Sequence, residues 1–82
     1  MELNQKTPVE VSLECADYIH QVLNGEFAYF SDLEKKLAIK RNVDHLKLII
    51  SGSYIDLKQF SKSQLKELQK AIDAGNAYVS SL

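Results

Sequence analysis

Apolar residues recur along this chain with two different periods. Between Thr7 and Gly25 they follow helical spacing: Val11, Cys15, Tyr18, Ile19 and Val22 stand at i, i+4, i+7, i+8 and i+11, while Glu10, Glu14, Asp17 and Gln21 gather on another face. The flanks agree. Thr7 can cap the first turn, Pro8 suits the first helical position, Glu10 completes a capping box, and Asn24-Gly25 supplies a stop. The pattern predicts a helix over about residues 8–24.

The second period is two. Folding the stretch LKLIISGSYIDLK about Gly52-Ser53, with Gly at the first central position of a type II′ turn, pairs Ser51 with Tyr54, Ile50 with Ile55 and Leu48 with Leu57. Leu46, Leu48, Ile50, Ile55 and Leu57 then share one face, and the β-branched content suits a strand. A β-hairpin is predicted. Before it, Ser31-Asp32-Leu33-Glu34 forms a second capping box and opens a short helix to about Ala38. After it, Phe60 and Leu65 bracket Ser61 as a hydrophobic staple, Gln64 completes a third capping box, Leu65, Leu68 and Ile72 make a buried stripe, and Gly75 ends the helix. The tail NAYVSSL has enough β character in Tyr78 and Val79 to add an edge strand. The aromatic run EFAYF reads as a short strand or a loop clamped onto the core.

Together these elements predict an α+β fold: helix, short helix, β-hairpin, helix, with the helices packed on one face of a small two- or three-stranded antiparallel sheet. A helix-turn-helix is the alternative, with a first helix from Asp32, a turn near Ile39, and a second helix capped by Asn42 and ended by Gly52. It leaves Leu48 and Ile49 off the apolar face formed by Val43, Leu46 and Ile50, which argues for the hairpin.

The 82 residues fit a single small domain. A chain of this size buries only roughly 60–65% of the surface its unfolded form exposes, so the core is expected to be thin. No apolar run approaches the ~20 residues of a membrane span, and the amino terminus lacks a basic region followed by an apolar stretch. With one cysteine, no internal disulfide can form. A cytoplasmic location is expected, with Cys15 as a small buried hydrophobe.

Charge changes the picture more than composition does. Residues 1–34 carry seven acids against Lys6, a net −6, whereas residues 35–82 carry nine bases against Asp44, Asp56, Glu67 and Asp73, a net +5. Either the two halves attract one another within the fold, or each faces a partner of opposite sign.

Candidate chemistry is sparse. Cys15 and His20 are five residues apart, about 140° around a helix, and do not converge on a metal. Asp17 and His20 can touch at i, i+3 but have no nucleophile beside them. Gly25, Gly52 and Gly75 stand at predicted element boundaries, and none belongs to a phosphate-binding loop. No catalytic site, cofactor or metal is expected.

The expected function is therefore a small non-catalytic regulatory or inhibitory protein, monomer or homodimer, that binds another macromolecule, with a protein partner favoured. Two surfaces suggest themselves. On the hairpin's outer face Lys47 and Lys58 flank Ile49 and Tyr54, a basic rim around an apolar and aromatic centre, and Lys62, Lys66 and Lys70 form a row along the last helix. The alternative is a nucleic-acid-binding regulator using Lys35, Lys36, Lys40, Arg41 and His45. VEVSL followed by ADYIHQVLNGEFAYFSDLEKKL resembles ribbon-helix-helix antitoxins, in which a strand precedes a helix, a Gly turn and a second, Ser-capped helix. The resemblance covers less than half of the chain and implies DNA reading by the outward strand residues. Here those are Glu10, Ser12 and Glu14, two of which phosphate would repel.

Overall fold

A computed structural model describes residues 6–81. The order is α1 (Pro8–Leu23), α2 (Asp32–Ile50), a 3₁₀ turn (Leu57–Gln59) and α3 (Lys62–Ser80). Among the described residues there is no strand, and the fold is all-α. Each helix packs against the other two, giving a flattened bundle of 35 × 33 × 20 Å.

All three helices begin as the sequence indicates. Thr7, Ser31 and Ser61 each accept a hydrogen bond from the backbone N–H three residues on, at 3.1 Å. Glu10, Glu34 and Gln64 each return one from the cap's own N–H, at 3.0, 2.7 and 2.9 Å. Each box satisfies two otherwise orphaned donors. α1 also ends where Asn24-Gly25 indicates. Gly25 takes φ +84°, its N–H donates to Val22 O, and Glu26 N–H donates to Gln21 O, which closes the helix.

The predicted α+β architecture is wrong in its second half. One 19-residue helix replaces the short helix, the hairpin's first strand and the break between them. The helix-turn-helix alternative fails too, because α2 passes Ile39 unbroken and Asn42 sits mid-helix, its Nδ2 donating to Ala38 O at 2.8 Å. Ile39, Val43, Leu46 and Ile49 explain why. Their four- and three-residue steps put one continuous stripe against α1 and α3, and all four are buried. The hairpin register uses Leu46, Leu48 and Ile50 but buries neither Ile39 nor Val43, so tertiary packing outweighs the β propensity of the isoleucines. Gly52 serves as a helix stop. It takes φ +81° and donates to Ile49 O at 3.1 Å, while Ser51 Oγ donates to Leu48 O at 2.6 Å.

Two further expectations are corrected. Gly75 does not end α3, and the tail holds no edge strand, because the helix continues to Ser80 with Tyr78 and Val79 packed on the core. In α1 the buried stripe is rotated toward smaller residues. Ser12, Ala16, Ile19 and Val22 are buried, whereas Val11 is exposed and Cys15 and Tyr18 are half-buried. Small side chains let helices approach closely, and the Ser12 hydroxyl is satisfied locally by donating to Pro8 O at 2.9 Å. The ribbon reading of Val9–Glu14 falls with this, because those residues lie within α1.

EFAYF forms the turn between α1 and α2. The Phe27 ring lies 5.2 Å from Tyr18 and stacks on Phe30 at 5.2 Å, which clamps the turn onto the bundle and leaves Tyr29 in solvent. Between α2 and α3 the connection is pinned by buried Ile55 and Phe60. Asp56 caps its 3₁₀ turn by accepting from Lys58 N–H at 3.0 Å.

Candidate functional site

The carboxyl end of α2 and the connection after it form one side of a groove, and the amino end of α1 forms the other. Pro8, Val11 and Ser12 line it from α1; His45, Leu48 and Ile49 from α2; Tyr54 and Ile55 from the connection; Lys6 closes one edge. Its volume is about 480 Å³, within the range of sites that enclose a small ligand or a few large side chains.

The walls follow from local sequence. The core stripe of α2 directs Leu46 and Ile49 inward, and the same helical turn then places Leu48 on the outside at 49% exposure. Ile55 is held in the core, so its neighbour Tyr54 stands out at 71% exposure. Val11 is exposed because α1 buries Ser12 and Ala16 instead. Three large apolar side chains are thus left in water around one concavity.

Polar groups around the groove are few. Lys6 Nζ donates to Glu14 in an exposed ion pair, and that hydrogen bond raises the Lys6 pKa. Glu10 lies near Lys6, and the N–H of Thr7 lowers its pKa by stabilising the carboxylate. Burial pushes the Cys15 thiol up, which leaves it protonated and a weak nucleophile. His45 presents its imidazole to the groove from mid-α2, not from the start of a hairpin.

The residues expected to bind a partner are redistributed. Ile49, placed by the hairpin at the centre of an exposed patch, is buried at 5% exposure and supplies only groove floor. Tyr54 does face solvent and does meet Ile49 at the groove, through the loop and not through a strand pair. Lys47 is exposed on α2 and Lys58 on the 3₁₀ turn. Lys62, Lys66 and Lys70 form an exposed row along α3, directed away from the core; Glu67 and Asp73 lie beside Lys66 and Lys70 in a shallow depression.

The nucleic-acid set does not converge on one face. Half-buried Lys36 and exposed Lys40 fall on one flank of α2, while exposed Arg41 and His45 fall on the other, about 100° away or more. Lys35 is half-buried near the core side. Sequence reasoning missed Val11 and Leu48. A signal for Leu48 was present, since a continuous α2 makes it an apolar residue off the buried stripe.

Both ion pairs among the described residues are local: Lys6–Glu14, and Lys40–Asp44 at 3.0 Å one turn apart on α2. Neither joins two helices, so the acidic face of α1 and the basic faces of α2 and α3 are turned to solvent. Among the described residues no three of His, Cys, Asp and Glu gather as metal ligands, and no helix is long and apolar enough to cross a membrane.

Comparison with known proteins returns nothing: no protein family, curated protein or solved structure matches this chain.

Proposed function

We propose that this chain is a small non-catalytic regulatory or inhibitory protein that works by docking on another protein through the groove between α1 and the end of α2. The observation that supports this is the convergence of exposed Val11, Leu48 and Tyr54 on one apolar concavity. Large apolar side chains held in water by a rigid scaffold are what a partner buries, and tyrosine is enriched among residues that dominate interface energy. A standard interface of about 800 Å² per partner would cover roughly one-seventh of the 5709 Å² surface, so one such contact is a substantial part of what this molecule can offer.

The test is affinity capture from a lysate of the cells that encode the protein, with and without nuclease, by wild type and by Leu48→Ser/Tyr54→Ser. Both substituted positions are exposed, and helical circular dichroism verifies the fold. A protein retained in both nuclease arms and lost with the double variant is the expected result. Retention only without nuclease would replace this reading with nucleic-acid binding. Equal retention by the variant would remove the groove.

A further inference from the structure

We infer that the outer face of α2 is a self-association surface, and that what covers it is a second copy of this chain, paired antiparallel about a two-fold axis. The contact is distinct from the docking groove but shares Leu48 and Tyr54 with it.

The apolar side chains left in water are not spread evenly over the bundle. Of the six large ones among the described residues, five lie on α2 or in the turns at its two ends: Tyr29, Leu33, Leu37, Leu48 and Tyr54. At about 100° per residue, Leu33, Leu37, Asp44 and Leu48 fall within about 60° of one another, on the side opposite buried Ile39, Val43, Leu46 and Ile49. α2 therefore carries a second stripe, about 22 Å from Leu33 to Leu48, with Lys40, Arg41 and Asp44 at its middle.

Charge sets direction and register. Asp44 holds Lys40 at 3.0 Å through Oδ2; among the described residues its Oδ1 accepts no hydrogen bond, and Arg41 forms no ion pair. Arg41 and Asp44 are centred on the same point of the helix as Leu37 and Leu48, between Asn42 and Val43. An antiparallel copy that sets Leu37 against Leu48 therefore also sets Arg41 against Asp44, and the two-fold axis repeats both pairs. Leu33 then meets the turn that carries Tyr54. A parallel copy would instead set Lys40 on Lys40 and Arg41 on Arg41. Lys36 and Lys47 lie about 70–90° from the middle of the stripe, so their like charges stay at the edge of the contact, where salt screens them.

Area sets the strength. Leu33 and Leu37 are 65% and 51% exposed, and with Leu48 and Tyr54 they hold roughly 400 Å² of side-chain surface per copy. That is about half of the ~800 Å² per partner in a standard interface, and Lys40, Arg41 and Asp44 add to it. A contact at the small end of specific interfaces fits a dimer with Kd on the order of 10–100 µM. Because Leu48 and Tyr54 serve both contacts, the dimer and a docked partner exclude one another.

The test is sedimentation equilibrium of the full-length protein from about 5 µM to about 1 mM, where a monomer–dimer equilibrium is expected. Arg41→Glu and Asp44→Arg should each weaken the dimer by about tenfold or more. The double variant, which exchanges the charges across the axis, should return to within about threefold of wild type. Leu37→Asp should leave a monomer, and helical circular dichroism confirms that each variant folds. Leu33→Ser/Leu37→Ser lies off the groove, so it should be monomeric yet capture the lysate partner at least as well as wild type.

A monomer at every concentration would overturn the inference, as would an assembly larger than a dimer, a dimer indifferent to Leu37→Asp, or a charge exchange that restores nothing. Loss of capture with Leu33→Ser/Leu37→Ser would put the partner, and not a second copy, on this face. A monomeric wild type whose capture still depends on Leu48 and Tyr54 leaves docking standing and removes the dimer. A dimer that obeys the charge exchange while no partner is captured does the reverse.

Discussion

Gly75 of α3 faces Val43 of α2 with no room for a methyl group between them. A Cβ at position 75 would overlap Val43 Cγ2 and press on Ile39 Cγ2 at 3.1 Å, with Ile19 Cγ2 of α1 at 3.5 Å. The three helices meet at this point. Gly75→Ala gains about 1 kcal/mol of helix propensity, but overpacking in a closed core costs about 1–3 kcal/mol. The overlap wins, because the facing atom belongs to a buried β-branched side chain. With the overpacking cost in the upper part of that range, about 2–3 kcal/mol, a net loss of about 1–2 kcal/mol is expected, lowering Tm by roughly 5–15 °C. Adding Val43→Ala should cost less in this background than in wild type, by more than ~0.5 kcal/mol of coupling. A Gly75→Ala variant as stable as wild type would contradict the close approach.

Adjacent residues Leu48 and Ile49 separate the helix from the hairpin. In α2 Ile49 is buried and Leu48 faces water, whereas a hairpin centred on Gly52-Ser53 reverses the two. Ile49→Asp should cost on the order of 4 kcal/mol or abolish folding, since it buries an unpaired carboxylate and removes core volume. Leu48→Asp should cost only about 1–1.5 kcal/mol in urea, from lower helix propensity and an acid in the last turn of the helix. The opposite order would return the strand.

The three capping boxes act at separate helix starts. Ser31→Ala and Ser61→Ala should each destabilise by about 1 kcal/mol, and the double variant by about the sum. Urea denaturation of the two single variants and the double one checks both magnitude and additivity.

Glu10 gives the first box a pH dependence. Its folded-state pKa lies below the ordinary glutamate value because the carboxylate accepts from Thr7 N–H. The resulting stability is fully present above the unfolded-state pKa and is lost as pH falls through the lowered folded value. Wild type should therefore lose more stability than Glu10→Gln on going from neutral pH to pH ~3. Thermal melts of the pair at both pH values measure the difference, and parallel losses would exclude the linkage.

Local chemistry determined the helix starts and the first stop. Thr7, Ser31, Ser61 and their partners three residues on, and Asn24-Gly25 at the end of α1, act through hydrogen bonds within one turn, which the sequence displays directly. Charge layout was legible for the same reason: the acids of α1 and the lysines of α3 repeat at helical spacing and face outward. Period within residues 46–58 was ambiguous. Ile49 and Ile50 suit either a strand or a buried helix, and only the demand of α1 and α3 for a continuous stripe from Ile39 to Ile49 decides between them. Gly75 shows the same division, since a glycine near a helix end can stop it or let another helix approach. The groove belongs wholly to tertiary structure. Val11 is far in the chain from Leu48 and Tyr54, and the three converge because burial of Ser12, Ile49 and Ile55 fixes which way their neighbours point.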